Sequence, residues 1–261
     1  MSTSFAIVPS MEPSHHRTNN VVHDDAEARK LGFKAGLITG TTTYAYLTRP
    51  AVAHFGKSWF EQTLNTIKLK APTFEGEKLT ARLVSSSKDA CEVELADDDG
   101  VRATLSCQKL EKPAKAAVLL SAPLNTARPK LTAELIPAGM VLGTLRDPLA
   151  PDECLEYLDQ VGDPHAIYRE QRIVHPGQLL HLANEVMMNN FTLAPWFHAK
   201  SQITNYRPIG MGTPIEVRSK VVEASERNSN KLATIDYVWV LPDDSVAMSA
   251  RHSIVYERGA K

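Results

Sequence analysis

The sequence predicts an α+β fold made of two similar halves, in each of which a central helix is wrapped by a curled antiparallel sheet. The first observation behind this prediction is an internal duplication. Gly40 precedes Trp59 by 19 residues. Gly177 precedes Trp196 by the same number, and this second pair follows the first at an offset of 137. A proline and a glycine further along recur at an offset of 136, as Pro72 and Gly76 and then as Pro208 and Gly212. Landmarks at a nearly constant offset indicate that one half is a diverged copy of the other.

The second observation is the pattern of the segments that follow these landmarks. Residues 78–110 and 214–257 alternate apolar with polar residues and are rich in Val, Ile and Thr, as half-buried strands are. Asp-Asp-Gly, Asn-Ser-Asn and Pro-Asp-Asp sequences interrupt them and favour tight turns. Each half is therefore expected to carry a meander of three or four antiparallel strands. The stretch at 177–191 is apolar nearly all round, which is typical of a helix enclosed by a sheet.

The two halves are predicted to be residues 1–111 and 140–261, joined by a linker at 112–139. The linker holds four prolines and little periodicity, so no regular structure is expected there. A short helix is expected just after the second half begins, with Asp152 as its N-cap after Pro151.

The composition argues against several classes of protein. Hydrophobic residues make up 43% and charged residues 23%, and 29 basic residues nearly balance 30 acidic ones. This balance, without a basic cluster, argues against nucleic-acid and membrane binding. The three cysteines are far apart and the histidines lack ligand spacing, so we expect no disulfide framework, no metal site and no cofactor. Neither a secretory signal nor a membrane-length apolar stretch is recognisable, so a cytoplasmic protein is expected.

Two short segments carry a resemblance to a known family. Residues 20–25 read Asn-Val-Val-His-Asp-Asp and lead through a Gly-Phe pair to Gly40. Residues 162–168 read Gly-Asp-Pro-His-Ala-Ile-Tyr and lead to His-Pro-Gly at 175–177. They resemble the Asn-Pro-Ile-His-x-Asp loop, and the glycine that opens the central helix, of the MaoC-like acyl-thioester dehydratases and hydratases. The resemblance covers nearly the whole chain apart from the linker, and it implies a tandem, or double, hotdog fold.

Neither half has the complete catalytic pair of that family, an aspartate and a histidine in the spacing D-x4-H. In the first half His23 stands at the histidine position, but Thr18 stands where the aspartate belongs. In the second half Asp163 stands at the aspartate position, but Tyr168 replaces the histidine. The pair is divided between the halves.

The resemblance implies addition or removal of water across a 2,3-enoyl thioester. His23 would act as the general base, because imidazole titrates near neutral pH, and Asn20 belongs to the same motif. Gly40 would offer its backbone N–H to the thioester oxygen at a helix N-terminus, and Gly177 fits that role in the second half. Asp163 is the acidic candidate. Because incomplete pairs on opposite sides of a pseudo-twofold axis are too far apart to exchange protons, we expect one surviving site, in the first half.

Several residues have a second interpretation. Asp24 and Asp25 open a helical stretch, where capping is favoured, although either could position the motif or replace the missing acid. Thr39 either caps the central helix or contacts substrate. Tyr168 either packs in the core or acts as a weak acid. His175 either shapes a thioester pocket or transfers protons.

The leading prediction is a hydro-lyase, an acyl-thioester hydratase or dehydratase acting on a CoA-linked or acyl-carrier-protein-linked substrate. A hotdog thioesterase is the first alternative, since the same helix terminus serves acyl hydrolysis. A non-catalytic acyl-binding or small-ligand-binding protein is favoured by the incomplete pairs. A lyase or isomerase acting on a non-thioester substrate is the remaining alternative. A homodimer is expected, since closed symmetric dimers are the commonest oligomers.

Overall fold

The computed structural model describes residues 3–11, 20–112, 114, 116–193 and 195–259. The strands within these residues are β1 (Ser4–Ile7), β2 (Thr63–Leu69), β3 (Leu79–Ser86), β4 (Ala90–Asp97), β5 (Gly100–Lys109), β6 (Leu145–Asp147), β7 (Phe197–Asn205), β8 (Ile215–Arg227), β9 (Asn230–Val240) and β10 (Val246–Glu257). The α-helices are α1 (Asp25–Lys30), α2 (Gly40–Phe55), α3 (Pro151–Val161), α4 (Ile167–Glu170) and α5 (Pro176–Asn190). Short 3₁₀ turns lie at Val21–His23, Gly56–Phe60 and Ala133–Leu135.

The strands form one antiparallel sheet in the order β1-β3-β4-β5-β2-β7-β10-β9-β8-β6. The order is symmetric about its centre, where β2 of the first half pairs with β7 of the second. Thr63 lies opposite Asn205 and Lys68 lies opposite Lys200. The spacing of the sequence landmarks, 137 residues, separates Thr63 from Lys200 and Lys68 from Asn205. The two pairs are therefore equivalent positions of the two repeats. The register therefore confirms the predicted α+β fold of two repeats in a continuous sheet.

Helices α2 and α5 are the central helices of the two repeats, and they pack against each other. Every residue of α2 from Thr41 to Val52 is buried, because the sheet and α5 together surround it. The polar residues of this stretch, among them Thr48 and Arg49, are therefore buried as well. Trp59 and Trp196 follow α2 and α5 respectively, and both are buried.

Two local predictions differ from the structure. The N-cap of α3 is Ala150, not Asp152, and Pro151 occupies the first helical position, where its missing N–H costs nothing. The outer strands β1 and β6 were not anticipated, because four and three residues are too few to show an alternating pattern. No described helix is long and apolar enough to cross a membrane.

Candidate active site

A cavity of about 210 Å³ lies beside the N-terminus of α2. Because β7 pairs with β2, the start of β7 also reaches this cavity. Residues of both repeats line it, among them Asn20, His23, Thr39, Gly40, Asn184 and His198. No Asp or Glu of the described residues lines it.

The 3₁₀ turn Val21–His23 presents His23 to the cavity. The His23 Nδ1 atom lies 2.6 Å from the carbonyl oxygen of Leu37. Since a carbonyl oxygen only accepts hydrogen bonds, Nδ1 carries the hydrogen and donates it. In the neutral ring the lone pair is then on Nε2. This is the tautomer that a general base requires.

Asn20 lines the cavity, but its amide is bonded to backbone. The Nδ2 atom donates to the carbonyl oxygen of Trp196 at 2.7 Å, and Oδ1 accepts from the Val22 N–H at 3.4 Å. The side chain thereby caps the 3₁₀ turn and attaches it to the second repeat. This geometry makes Asn20 a positioning residue for His23.

The N-terminus of α2 is capped from within its own sequence. Thr39 is the N-cap, and its hydroxyl oxygen accepts from the Thr42 N–H at 3.2 Å. The N–H of Gly40 is the first of the helix and has no acceptor within it. A Cβ on Gly40 would lie 2.5 Å from His198 Nδ1 and 2.7 Å from a methyl group of Leu69. Glycine at this position therefore lets His198 and Leu69 pack directly against the helix backbone.

The two aspartates beside His23 support the loop. The Asp24 carboxylate accepts from the N–H groups of Ala26 and Glu27, at 2.9 and 3.0 Å, and so caps α1. Asp25 accepts from the Gly36 N–H at 2.8 Å, and this bond is the main cause of its lowered pKa. Neither carboxylate lines the cavity. Thr18, where the family has its aspartate, lies outside the described residues.

In the second repeat Asp163 and His175 contact each other in the core. The two side chains are 0% exposed, and His175 Nε2 lies 3.2 Å from Asp163 Oδ2. His175 Nδ1 accepts from the Gly177 N–H at 3.1 Å, so Nε2 carries the hydrogen and donates it to the carboxylate. Burial lowers the pKa of His175, since the aspartate only partly offsets desolvation of the cation. Burial acts to raise the pKa of Asp163, but hydrogen bonds from His175 and from the His165 backbone outweigh it, and that pKa is lowered.

The glycine near the start of α5 is also packed closely by side chains, and the cavity at α2 does not extend to it. A Cβ on Gly177 would lie 2.4 Å from the Tyr157 hydroxyl oxygen and 2.7 Å from the Cβ of Ala45. Tyr168 is fully buried, and its ring centroid lies 4.7 Å from that of His175. The structure thus places Asp163, Tyr168, His175 and Gly177 in the core, whereas Asn20, His23, Thr39 and Gly40 meet at the cavity.

Two further cavity residues come from the second repeat. Asn184 lies on α5 and His198 on β7, and neither belongs to a recognisable motif. The Asn184 Oδ1 and His198 Nδ1 atoms are buried and have no hydrogen-bond partner among the described residues. Such atoms are costly unless a ligand or water satisfies them. No sequence signal marks them, because His198 reaches the cavity through the pairing of β7 with β2 and Asn184 through the packing of α5 against α2.

Comparison with known proteins adds the fold class. No family model and no curated protein matches the chain. Among solved structures, a protein from Chloroflexus aurantiacus assigned as a MaoC domain dehydratase is 13% identical, with a TM-score of 0.67, and the match covers 100% of this chain and 96% of that one. A conserved hypothetical protein from Mycobacterium tuberculosis with a double hotdog fold is also 13% identical, with a TM-score of 0.62 and coverage of 97% and 96%. A protein from Novosphingobium aromaticivorans assigned as a thioesterase is 10% identical, with a TM-score of 0.53 and coverage of 97% and 94%.

These likenesses define the class to which the fold belongs. The chain is a double hotdog protein, and its structural neighbours include MaoC-like dehydratases. The resemblance read from the sequence is therefore confirmed for the fold. Proteins assigned as dehydratases and as thioesterases share this architecture, so the reaction has to be argued from the site.

Proposed function

We propose that the cavity at the N-terminus of α2 binds an acyl thioester and that the protein adds or removes water at its 2-enoyl or 3-hydroxyacyl group. The observation that carries this proposal is the meeting of His23 and Gly40 at one cavity, with the His23 tautomer fixed by Leu37. A base and an N–H donor at a helix terminus are the two groups that such a reaction needs. The names of the structural neighbours agree with acyl-thioester chemistry.

In the direction of hydration, the thioester oxygen accepts a hydrogen bond from the Gly40 N–H. His23 Nε2 takes a proton from water as the water oxygen bonds to C3, and the negative charge moves to the thioester oxygen. The helix dipole of α2 and the Gly40 N–H stabilise this enolate. The proton then returns to C2, and His23 regains its neutral form. Dehydration is the reverse.

Hydrolysis of the thioester is less well supported. A hotdog thioesterase usually places a carboxylate beside the thioester, and none of the described aspartates and glutamates lines the cavity. The same observation favours the third candidate, an acyl-binding protein without turnover. The substrate carrier, CoA or an acyl carrier protein, is part of the proposal, as are the homodimer and the cytoplasmic location.

Paired variants of the two motif residues test the site. His23→Ala removes the base, so the rate of crotonyl-CoA hydration, followed by loss of enoyl absorbance, should fall by about 10²-fold or more. Asp163→Asn is the matched control, and its rate should stay close to that of the wild type because Asp163 is enclosed in the core.

The same assay separates the alternatives. Release of free thiol, detected with a thiol reagent, would show that the protein hydrolyses the thioester, and the proposed hydration would be replaced by that function. A thermal shift on addition of crotonyl-CoA without turnover would identify a binding protein. Hydration that persists in His23→Ala and is lost in Asp163→Asn would move the active site to the second repeat.

A further inference from the structure

A chain of three hydrogen-bonded side chains, of which Ser201 and His252 are buried and His198 is partly buried, ends at the candidate site. His198 Nε2 lies 2.9 Å from the hydroxyl oxygen of Ser201, and that oxygen lies 2.7 Å from His252 Nδ1. Ser201 and His252 are opposite each other on the paired strands β7 and β10, and both are buried. The two imidazole rings are 4.1 Å apart between centroids.

The free end of this chain points at the N-terminus of α2. His198 Nδ1 lies 2.5 Å from the position of a Cβ on Gly40, has no exposed surface and has no partner within the described part of the chain. The other end, His252 Nε2, is also buried and without a partner there. These ends differ in one respect, since His198 lines the cavity and His252 does not.

This difference selects one of two hydrogen-bonding arrangements. The Ser201 hydroxyl has a single hydrogen, so it satisfies both rings when it donates to one and accepts from the other. If it donates to His252 Nδ1, then the single ring hydrogen of neutral His252 is on Nε2, where a buried N–H lacks an acceptor. If it donates to His198, then His198 carries its hydrogen on Nδ1, where an oxygen atom in the cavity can accept it. In the second arrangement every buried N–H of the two rings has an acceptor once a ligand oxygen accepts from His198 Nδ1.

Both rings are neutral at physiological pH. Burial lowers the pKa of His198 far below its ordinary value, and the neighbouring His252 adds to this effect. Burial lowers the pKa of His252 to about 3. His198 therefore donates as a neutral imidazole.

We propose that His198 is a second hydrogen-bond donor to the carbonyl oxygen of the bound thioester, beside the Gly40 N–H, and that Ser201 and His252 hold it in the donor tautomer. The inference rests on the proposed function, because it requires a thioester in the cavity. It assigns a role in the first repeat's site to residues of the second repeat. Ser201 and His252 are positioning residues that act through His198.

The test uses butyryl-CoA labelled with ¹³C at its carbonyl, because a saturated thioester binds without being hydrated. Isotope-edited infrared spectroscopy of the complex measures the carbonyl stretch, which falls as hydrogen bonds to the oxygen strengthen. We expect a lower frequency on the wild type than in solution, and loss of a large part of this shift in His198→Leu. His198→Asn should retain most of the shift, since the asparagine amide can donate from the place of Nδ1. His54→Asn, about 20 Å away at the other end of α2, should leave it unchanged.

Two further variants provide a test that still works if His198→Leu does not fold. Ser201→Ala leaves the tautomer of His198 unspecified and should reduce the shift, whereas Ser201→Thr keeps the hydroxyl and should restore it. The value of kcat/KM for crotonyl-CoA hydration should fall by about 10²-fold in His198→Leu, the effect of losing one donor to an oxyanion. Circular dichroism identifies variants that fold.

The outcomes distinguish the two proposals. A wild-type carbonyl shift in folded His198→Leu and Ser201→Ala would overturn the role of His198 even if hydration by His23 is established. A shift that depends on His198 in a protein that does not hydrate crotonyl-CoA would refute the proposed reaction and support the donor. If the folded wild type does not bind butyryl-CoA, both proposals fail.

Discussion

Acid should destabilise this protein through buried neutral histidines, and His252 allows the effect to be worked out. Its side chain is 1% exposed, and its pKa of about 3 lies below the ordinary value of about 6.5 expected in the unfolded chain. A lowered folded-state pKa means that the stabilisation is complete above pH 6.5 and is lost as pH falls towards 3, because the unfolded chain binds the proton first. At pH 5 proton uptake by this residue in the unfolded chain should lower the free energy of unfolding by about 2 kcal/mol, because each pH unit below 6.5 contributes about 1.4 kcal/mol.

The measurement is urea unfolding at several pH values between 6.5 and 5. His198 and His175 have lowered pKa values as well, so the slope of the wild-type free energy of unfolding against pH reflects the uptake of more than one proton on unfolding. Carboxylates with lowered pKa values, such as Asp163, begin to contribute only at about pH 5, at the lower end of this window. His252→Asn should therefore reduce the slope by about one proton.

A control separates this effect from general damage to the core. Ser219 is also buried in the sheet and does not titrate. Ser219→Ala should change the free energy of unfolding by a similar amount at every pH and leave the slope as in the wild type. An unaltered slope in His252→Asn would show that His252 does not take up a proton on unfolding, and the argument from burial would be refuted.

Two other predictions follow from the packing. Gly177→Ala should lower the free energy of unfolding by about 1–3 kcal/mol, because the new Cβ would overlap the Tyr157 hydroxyl, and Tyr157→Phe in the same chain should recover part of this loss in urea titrations. Equal stability of the single and double variants would contradict the contact. Asn20→Ala removes the bond to the Trp196 carbonyl and should lower stability by about 1 kcal/mol and the hydration rate by a larger factor than stability explains, since His23 loses its support. A variant that loses stability but keeps the wild-type rate would show that Asn20 does not position the base.

The sequence by itself determined the duplicated fold. The recurrence of a glycine and a tryptophan at an offset of 137 residues predicted two equivalent units, and the pairing of Thr63 with Asn205 follows the same offset. Alternating strands and enclosed helices are local patterns, so one chain is enough to reveal them. The sequence also singled out His23 and Gly40, which lie on the same cavity.

The tertiary structure decided beside which of the two motifs the cavity forms and which side chains line it. Gly177 follows Gly40 by the landmark offset of 137, but it packs against Tyr157 of α3 and does not line the cavity. A residue 20 positions earlier in the chain gives no sequence signal of that contact. His198 meets Gly40 only because the central strands of the two repeats pair with each other. Motifs record local chain geometry, whereas the filling of a cavity and its polar lining depend on side chains from elements that are distant in sequence.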